Sequence, residues 1–168
     1  MSRRVVLLSM VMALPQCRAA QQGSSDDGVP VVTPAAADES VSMERTPCNG
    51  TCPVYSVRIG GDGVVRFLGT ANVKTMGPAT GQISRARVDS LFRYIDSVGF
   101  AQFDTSYAYG ARGCGTYAAD LPSVNVAVER GGRSKRVVND YGCAGAPRIL
   151  RDLHRRIDEV AGTQQWIR

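Results

Sequence analysis

The sequence, 168 residues long, has little of the chemistry that most enzymes need. Its single histidine, His154, lies beside an apolar stripe and has no identifiable serine or cysteine partner. Its aspartates, among them Asp104, Asp120 and Asp140, follow no spacing that is typical of a hydrolase. The GGDG turn at residues 60–63 lacks the strand-to-helix context of a phosphate loop. We therefore predict no catalytic residue, no metal site and no cofactor, and an enzyme is kept only as the alternative.

Long apolar runs are also absent, since no segment reaches the ~20 apolar residues of a membrane-spanning helix. The longest run, residues 5–14, is about half that length, follows Arg3 and Arg4, and precedes small residues. This order is typical of an export signal, so we predict a signal peptide over residues 1–19. For Cys17 two interpretations stay open: removal with the leader, or lipidation as in a bacterial lipoprotein.

No single sign of charge dominates once the leader is removed. Arg3, Arg4 and Arg18 leave with it, and the formal net charge falls from +5 to +2. The basic run RGGRSKR at residues 130–136 is interpreted as the solvated tip of a hairpin. Because an exported protein seldom meets nucleic acid, we predict none as a partner. Membrane contact is expected only through the leader or a lipid on Cys17.

Residues 20–40 contain no aromatic residue and are rich in alanine, serine, aspartate, glycine and proline. Such a composition buries too little apolar surface to offset the entropy of ordering the chain. We predict a disordered spacer over residues 20–40 and a single folded domain over residues 41–168. The C-terminal Trp166 and Ile167 are expected to pack against this domain.

Hairpins and helices alternate in the predicted domain. Residues 54–69 and 123–141 alternate apolar and polar positions around a glycine-containing turn, which is typical of a β-hairpin. Residues 83–100 and 147–162 repeat apolar residues at helical spacing. The order hairpin, helix, hairpin, helix predicts a two-layer α+β domain, an antiparallel sheet built from hairpins with both helices on one face.

The ends of the predicted helices carry capping residues. Ser84 is suited to an N-cap, and Gly99 and Gly162 are suited to end their helices. The two helices also share leucine, arginine, isoleucine, aspartate and valine at matching positions. Both an internal duplication and a chance similarity of amphipathic helices explain this match.

Four cysteines remain when Cys17 is set aside: Cys48, Cys52, Cys114 and Cys143. An even number in an exported protein indicates two disulfides, with three connectivities open. The short turn in CNGTC favours Cys48 with Cys52, which leaves Cys114 with Cys143. A redox pair is disfavoured because its motif is usually Cys-x-x-Cys at a helix N-terminus, whereas a strand follows here. A zinc site is disfavoured because two of the cysteines lie far apart in the sequence.

The segment FDTSYAYGARGCGTYAADLP, residues 103–122, has neither period and is predicted to be a long loop. Long loops in compact domains are often functional, and tyrosines offer a large ring with a polar tip at low entropic cost. We predict that Tyr107, Tyr109, Tyr117 and Arg112 bind a partner. The alternative is that these rings fold back over the sheet edge as a lid on the core.

Five stretches of the chain together resemble an uncharacterised bacterial family of exported or lipid-anchored proteins, catalogued as a domain of unknown function. They are RTPCNGTCPVYSVRIGGDGVVRFLG, FDTSY, DLPSVNV, VVNDYGCAGAP and IDEVAGTQQWI. The resemblance covers about residues 41–168, and the element Cys-x-Gly-x-Cys-Pro-Val-Tyr is its most specific part. It implies an envelope location, a small α+β domain, and a bond between Cys48 and Cys52. From the predicted leader we expect an exported protein of the periplasm, the cell envelope or the extracellular space. The family has no established activity, so it assigns no catalytic residue.

These observations favour a non-catalytic exported envelope protein that binds a protein, a glycan or another surface component through the loop of residues 103–122, which we call the tyrosine loop. The alternative function is an enzyme, either a thiol-disulfide oxidoreductase that uses Cys48 and Cys52 or an unrecognised hydrolase.

Overall fold

The computed structural model describes residues 38–168. The predicted signal peptide, the predicted spacer up to residue 37 and Cys17 lie outside the described residues. Ser40 is the first residue of a strand, one residue before the predicted start of the domain. Within residues 38–168, no helix has the length and apolar character needed to cross a bilayer.

Residues 38–168 form an α+β domain with a seven-stranded sheet. The strands are β1 (Ser40–Arg45), β2 (Val54–Gly60), β3 (Val64–Ala71), β4 (Gly77–Gln82), β5 (Ser106–Tyr107), β6 (Ser123–Arg130) and β7 (Arg133–Asp140). The helices are α1 (Arg85–Ser97), α2 (Arg148–Ala161) and the short α3 (Gln164–Ile167), with a 3-10 turn at Phe100–Gln102.

The strands lie in the order β4-β3-β2-β1-β6-β7-β5. All neighbouring pairs are antiparallel except β5 and β7, which are parallel. β1 occupies the middle, where Val41 stands opposite Ile59 of β2 and Val128 of β6. The strand therefore joins the hairpin β2–β3 to the hairpin β6–β7.

Both predicted hairpins are confirmed, and so are both long helices. The β6–β7 turn consists of Gly131 and Gly132, whose φ values of 54° and 71° suit a type I′ turn. The side chain of Ser84 accepts a hydrogen bond from the backbone of Arg87 at the start of α1, and Gly162 is left-handed at the end of α2.

The predicted element order is incomplete, because the sheet also contains β1, β4 and β5. The pattern that marks a strand is weak in each of them. β1 has two apolar residues, β4 reads GPATGQ, and β5 is two residues long. The internal duplication and the two-layer arrangement stay predictions.

One face of the sheet supplies the core. Val41 and Met43 of β1 are 0% and 1% exposed, while the alternating residues Ser42 and Glu44 belong to the opposite, polar face. The buried side chains of the helices belong to the same core as the buried side chains of the strands. The helix residues in this core include Val88, Leu91, Phe92, Ile95, Leu150, Leu153, Ile157 and Val160. This continuity explains why both helices show a single apolar stripe.

The C-terminal segment packs as the sequence predicts. Trp166 is 7% exposed and stacks on Phe67, with ring centroids 5.0 Å apart. A Cβ atom at Gly81 would lie 3.3 Å from the Trp166 ring, so this strand position accommodates the indole because it has no side chain. The backbone of Thr75 donates to the carbonyl of Trp166 at 2.9 Å, which fixes the segment against the β3–β4 connection.

We predict that Trp166→Ala lowers the free energy of unfolding by about 3–5 kcal/mol, because it removes a buried aromatic ring and leaves a cavity. Gln164→Ala, an exposed change in the same short helix, should change it by less than about 0.5 kcal/mol. Urea unfolding of both variants measures the difference. Equal losses would show that the segment contributes through its backbone alone.

Candidate binding site at the disulfide end of the sheet

Both disulfides lie at the end of the sheet where β1 and β7 finish. Cys48 pairs with Cys52 in the β1–β2 connection, with Cα atoms 5.8 Å apart. Cys114 pairs with Cys143 across 4.5 Å, which joins the predicted tyrosine loop to the segment after β7. The connectivity that the sequence favours is therefore confirmed.

We call this region the disulfide end: residues 46–53, 108–122 and 141–147. Its segments contact one another through the backbone. The N–H of Asn49 donates to the carbonyl of Asp120 at 3.1 Å, so the two disulfide-closed segments are in direct contact.

Backbone hydrogen bonds that the sequence does not predict hold the tyrosine loop in place. Ala118 donates to the carbonyl of Gly142, and Ala144 donates to the carbonyl of Thr116, both at 2.9 Å. A Cβ atom at Gly142 would lie 2.0 Å from the oxygen of Ala118. Glycine is therefore required at position 142, where the two segments approach each other. The conformation of the loop is fixed by these contacts.

Tyr107 lies inside the domain. It belongs to β5, is 6% exposed, and its hydroxyl accepts a hydrogen bond from the backbone of Asp104 at 3.2 Å. A Cβ atom at Gly113 would lie 2.8 Å from its ring, so the loop packs directly over it. The lid interpretation therefore describes this residue, which offers no surface to a partner.

Tyr109 lies on the outside of the loop, next to the half-buried Tyr117. Tyr109 is 78% exposed, and its ring centroid lies 4.9 Å from that of Tyr117 at an angle of 51°. Arg112 between them in the sequence is also exposed. We call Tyr109, Arg112 and Tyr117 the tyrosine surface. Leu121, which sequence reasoning missed because it is a lone apolar residue, adds a side chain from the same loop that is 47% exposed.

A carboxylate lies close enough to Tyr117 to affect its hydroxyl. Partial loss of solvent, and next the carboxylate of Asp140, raise the pKa of the Tyr117 hydroxyl, with a smaller contribution from Asp120. The hydroxyl therefore stays protonated beside the carboxylate of Asp140. Asp140 in turn accepts from the N–H of Gly142 at 2.8 Å. The carboxylate that affects the phenol is thus itself held by the backbone next to Cys143.

A polar cluster joins the sheet to α2 at the same end. Arg45, the last residue of β1, donates to the hydroxyl of Tyr55 and to Oδ2 of Asp158, both at 2.7 Å. The Tyr55 hydroxyl donates to Oδ1 of Asp158 at 2.6 Å, and Thr163 donates to the same oxygen at 2.9 Å. The side chains of Arg45 and Asp158 are 19% and 13% exposed, so this ion pair is largely removed from water.

Burial sets the charge states in the cluster. Burial, the largest single effect, lowers the pKa of Arg45, but Asp158, Tyr55 and Tyr141 together outweigh it, and the guanidinium pKa rises above its usual value. Burial and Asp158 both raise the pKa of the Tyr55 phenol. Both groups therefore keep their protons at every physiological pH, and the cluster acts as a fixed clamp between β1, β2 and α2.

His154 lies in the core beside this cluster rather than at the boundary of the apolar stripe. It is 1% exposed, and its Nδ1 lies 3.0 Å from the hydroxyl of Tyr141. Burial, followed by the charges of Arg45 and Arg151, lowers the pKa of His154 to about 3. The imidazole is therefore neutral, and we assign the hydroxyl of Tyr141 as the donor to Nδ1.

His154 is buried and neutral, Cys48 and Cys52 are bonded in a loop between two strands, and no helix begins at that loop. Within residues 38–168, no group of three or more histidine, cysteine, aspartate or glutamate side chains is arranged to hold a metal ion. The disulfide end also displays the exposed ring of Tyr109 beside the half-buried ring of Tyr117.

Comparison with known families gives a single finding. Residues 39–161 match the sequence model of a family described as a domain of unknown function, DUF6438. No curated protein matches the chain.

We predict that the two disulfides contribute unequally to stability. The bond between Cys114 and Cys143 closes a loop with a sequence separation of 29, against 4 for Cys48 and Cys52. By the entropy of loop closure, the double change Cys114→Ser with Cys143→Ser should cost about 3.6 kcal/mol, and Cys48→Ser with Cys52→Ser about 2 kcal/mol. Urea unfolding of both double variants measures the order, and the reverse order would contradict it.

We further predict a pH dependence from His154. Its folded pKa of about 3 lies below the ordinary 6.5, so the unfolded chain takes up the proton first. Its contribution to stability is complete above pH 6.5 and is lost as pH falls towards 3, by up to about 1.4 kcal/mol per pH unit. His154→Gln should be less stable than the wild type at pH 7.5, and the gap should narrow below pH 6.5. Parallel stability curves for the two proteins would contradict this.

Proposed function

The chain belongs to the DUF6438 family, a domain of unknown function, and on that premise we propose that it is a non-catalytic exported protein of the cell envelope. It binds a protein or glycan at the cell surface through the tyrosine surface of Tyr109, Arg112 and Tyr117. The proposal rests on one observation above all, the 78% exposure of Tyr109, whose ring packs beside the half-buried ring of Tyr117 on a loop that is already fixed.

Preorganisation makes such a pair suitable for binding. Binding normally costs free energy because side chains and loops become ordered at the interface. Here the disulfide between Cys114 and Cys143 and the backbone pairing of residues 116–118 with 142–144 order the loop beforehand. The rings then offer apolar faces to a side chain or a sugar, and their hydroxyls and Arg112 offer polar contacts at the edge.

Export is supported by the cysteine chemistry. Disulfides persist in non-reducing compartments, and two are present in residues 38–168. Together with the predicted leader over residues 1–19, they favour a location outside the cytoplasm. A reducing compartment would leave both loops of the disulfide end without their covalent closure.

The position of the tyrosine surface suits a domain that is tethered by its N-terminus. The chain enters the sheet at Glu39, whose carbonyl accepts from Gly61 in the turn between β2 and β3. The tyrosine surface lies at the opposite end of strands six to eight residues long, about 20–25 Å away at ~3.3 Å per residue. We also propose that the helices form a second layer on the sheet, as the sequence predicts. The shared core of helices and sheet supports this arrangement.

Tyr109→Ala tests the proposal. The purified domain is crosslinked to a native envelope fraction, and the captured material is measured for the wild type, Tyr109→Ala and Leu68→Ala. Leu68 is a matched control, since it is an apolar residue on β3 that is 48% exposed. Loss of an exposed aromatic anchor should reduce capture at least about tenfold, without a change in the melting temperature.

The control variant and a digestion separate the outcomes. Leu68→Ala should capture as much as the wild type. Protease treatment of the envelope fraction should abolish capture of a protein partner, and periodate oxidation should abolish capture of a glycan. Equal losses in the two variants, or unfolding of Tyr109→Ala, would refute the proposed role of the tyrosine surface.

A further inference from the structure

The other end of the sheet carries a groove where the hairpin β6–β7 passes the end of α1. Along β6, the residue after Val128 on the core side is Arg130. Along β7, the residues before Val137 on the same side are Lys135 and Arg133. The core side of this hairpin therefore changes from apolar to cationic as it approaches its tip.

These cations, together with Asp96, line the rim of a cavity with an apolar floor. Its volume is about 550 Å³, which lies within the range of small-molecule sites. Ile95, Phe100 and Val128 supply the floor, and Arg133 and Lys135 lie on the hairpin side. We call this cavity the hairpin groove. The predicted solvated tip is therefore one wall of a concave surface.

Arg130 has a structural role at the edge of the groove. It forms ion pairs with Asp96 and Glu39, both at 2.9 Å. Its guanidinium also lies 4.7 Å from the ring centroid of Phe92. Its charge is therefore compensated by the protein, and it helps to hold α1 to the hairpin.

Arg133 and Lys135 are not compensated in this way. The ammonium group of Lys135 donates to the carbonyl of Phe103, which is a neutral acceptor. Among residues 38–168, neither Arg133 nor Lys135 forms an ion pair with a carboxylate. Arg136, on the same strand but on the opposite face, reaches Glu44 at 3.5 Å. Two uncompensated positive charges thus stand beside an apolar floor.

We propose that the hairpin groove binds an amphipathic carboxylate, with its apolar part on Phe100 and Val128 and its carboxylate between Arg133 and Lys135. Apolar contact supplies affinity in proportion to the area that the ligand removes from water. Charge-assisted hydrogen bonds fix the headgroup and select for negative charge. The groove lies at the end of the sheet opposite the tyrosine surface, so this proposal and the proposed function stand or fall separately.

Decanoate is the probe, and calorimetric titration of the purified protein measures its affinity. Decanol, which has the same chain without the charge, should bind at least about tenfold more weakly. A charge-assisted hydrogen bond contributes more binding free energy than a tenfold change in affinity requires. Arg133→Gln and Lys135→Gln should each weaken decanoate binding about tenfold. Arg136→Gln, the matched control on the other face of β7, should bind as the wild type does.

Two further measurements, on the wild type alone, test the proposal without relying on the variants. Added salt should weaken decanoate binding to the wild type, because it screens an exposed charge contact. Amide chemical shifts should change at Phe100, Ala101 and Val128 and stay constant at Tyr109. Absence of decanoate binding, equal binding of decanol, an equal loss in Arg136→Gln, or shifts centred on Tyr109 would each overturn the proposal.

Discussion

The pairing of β1 along both of its edges is the interaction on which the rest of the domain depends. It joins two hairpins that would otherwise be separate half-sheets, and it places Val41 and Met43 at the centre of the core. Its last residue, Arg45, carries the buried ion pair with Asp158 that ties α2 to the sheet. Removing either partner would leave a buried charge uncompensated, which is far more costly than the pair itself is stabilising. The disulfide end begins directly after this residue, so the position of β1 determines where the disulfide end lies.

Local periodicity explains which elements the sequence predicts and which it hides. The hairpins β2–β3 and β6–β7 and both long helices repeat apolar residues with a clear period, and the structure has them where the pattern places them. β1 and β4 carry little such pattern, because β1 is defined by partners on both sides and β4 is an edge strand. Their existence depends on residues distant in the chain, as in the register of Val41 against Val128. No single-sequence window contains that information.

The candidate site shows the same division. The cysteine pairing follows from spacing and an even count, and the tyrosine loop is visible as a long aperiodic segment. The sequence does not show that Tyr107 is buried while Tyr109 is exposed, because the burial of Tyr107 depends on the pairing of β5 with β7. The cluster of Arg45, Tyr55 and Asp158 joins residues more than a hundred positions apart, and the sequence carries no signal for it. The groove beside Arg133 was hidden because its floor comes from a different element, the 3-10 turn at Phe100.

The edges of the sheet bear on how the protein behaves when many copies stand close together. An unpaired edge strand invites strands of neighbouring molecules to add to it, which is a common route to aggregation. Here one edge strand, β5, is two residues long, and the other, β4, contains Pro78, whose nitrogen carries no hydrogen to donate. Both edges are therefore poor templates for a further strand, and crowding favours contacts through side chains over extension of the sheet.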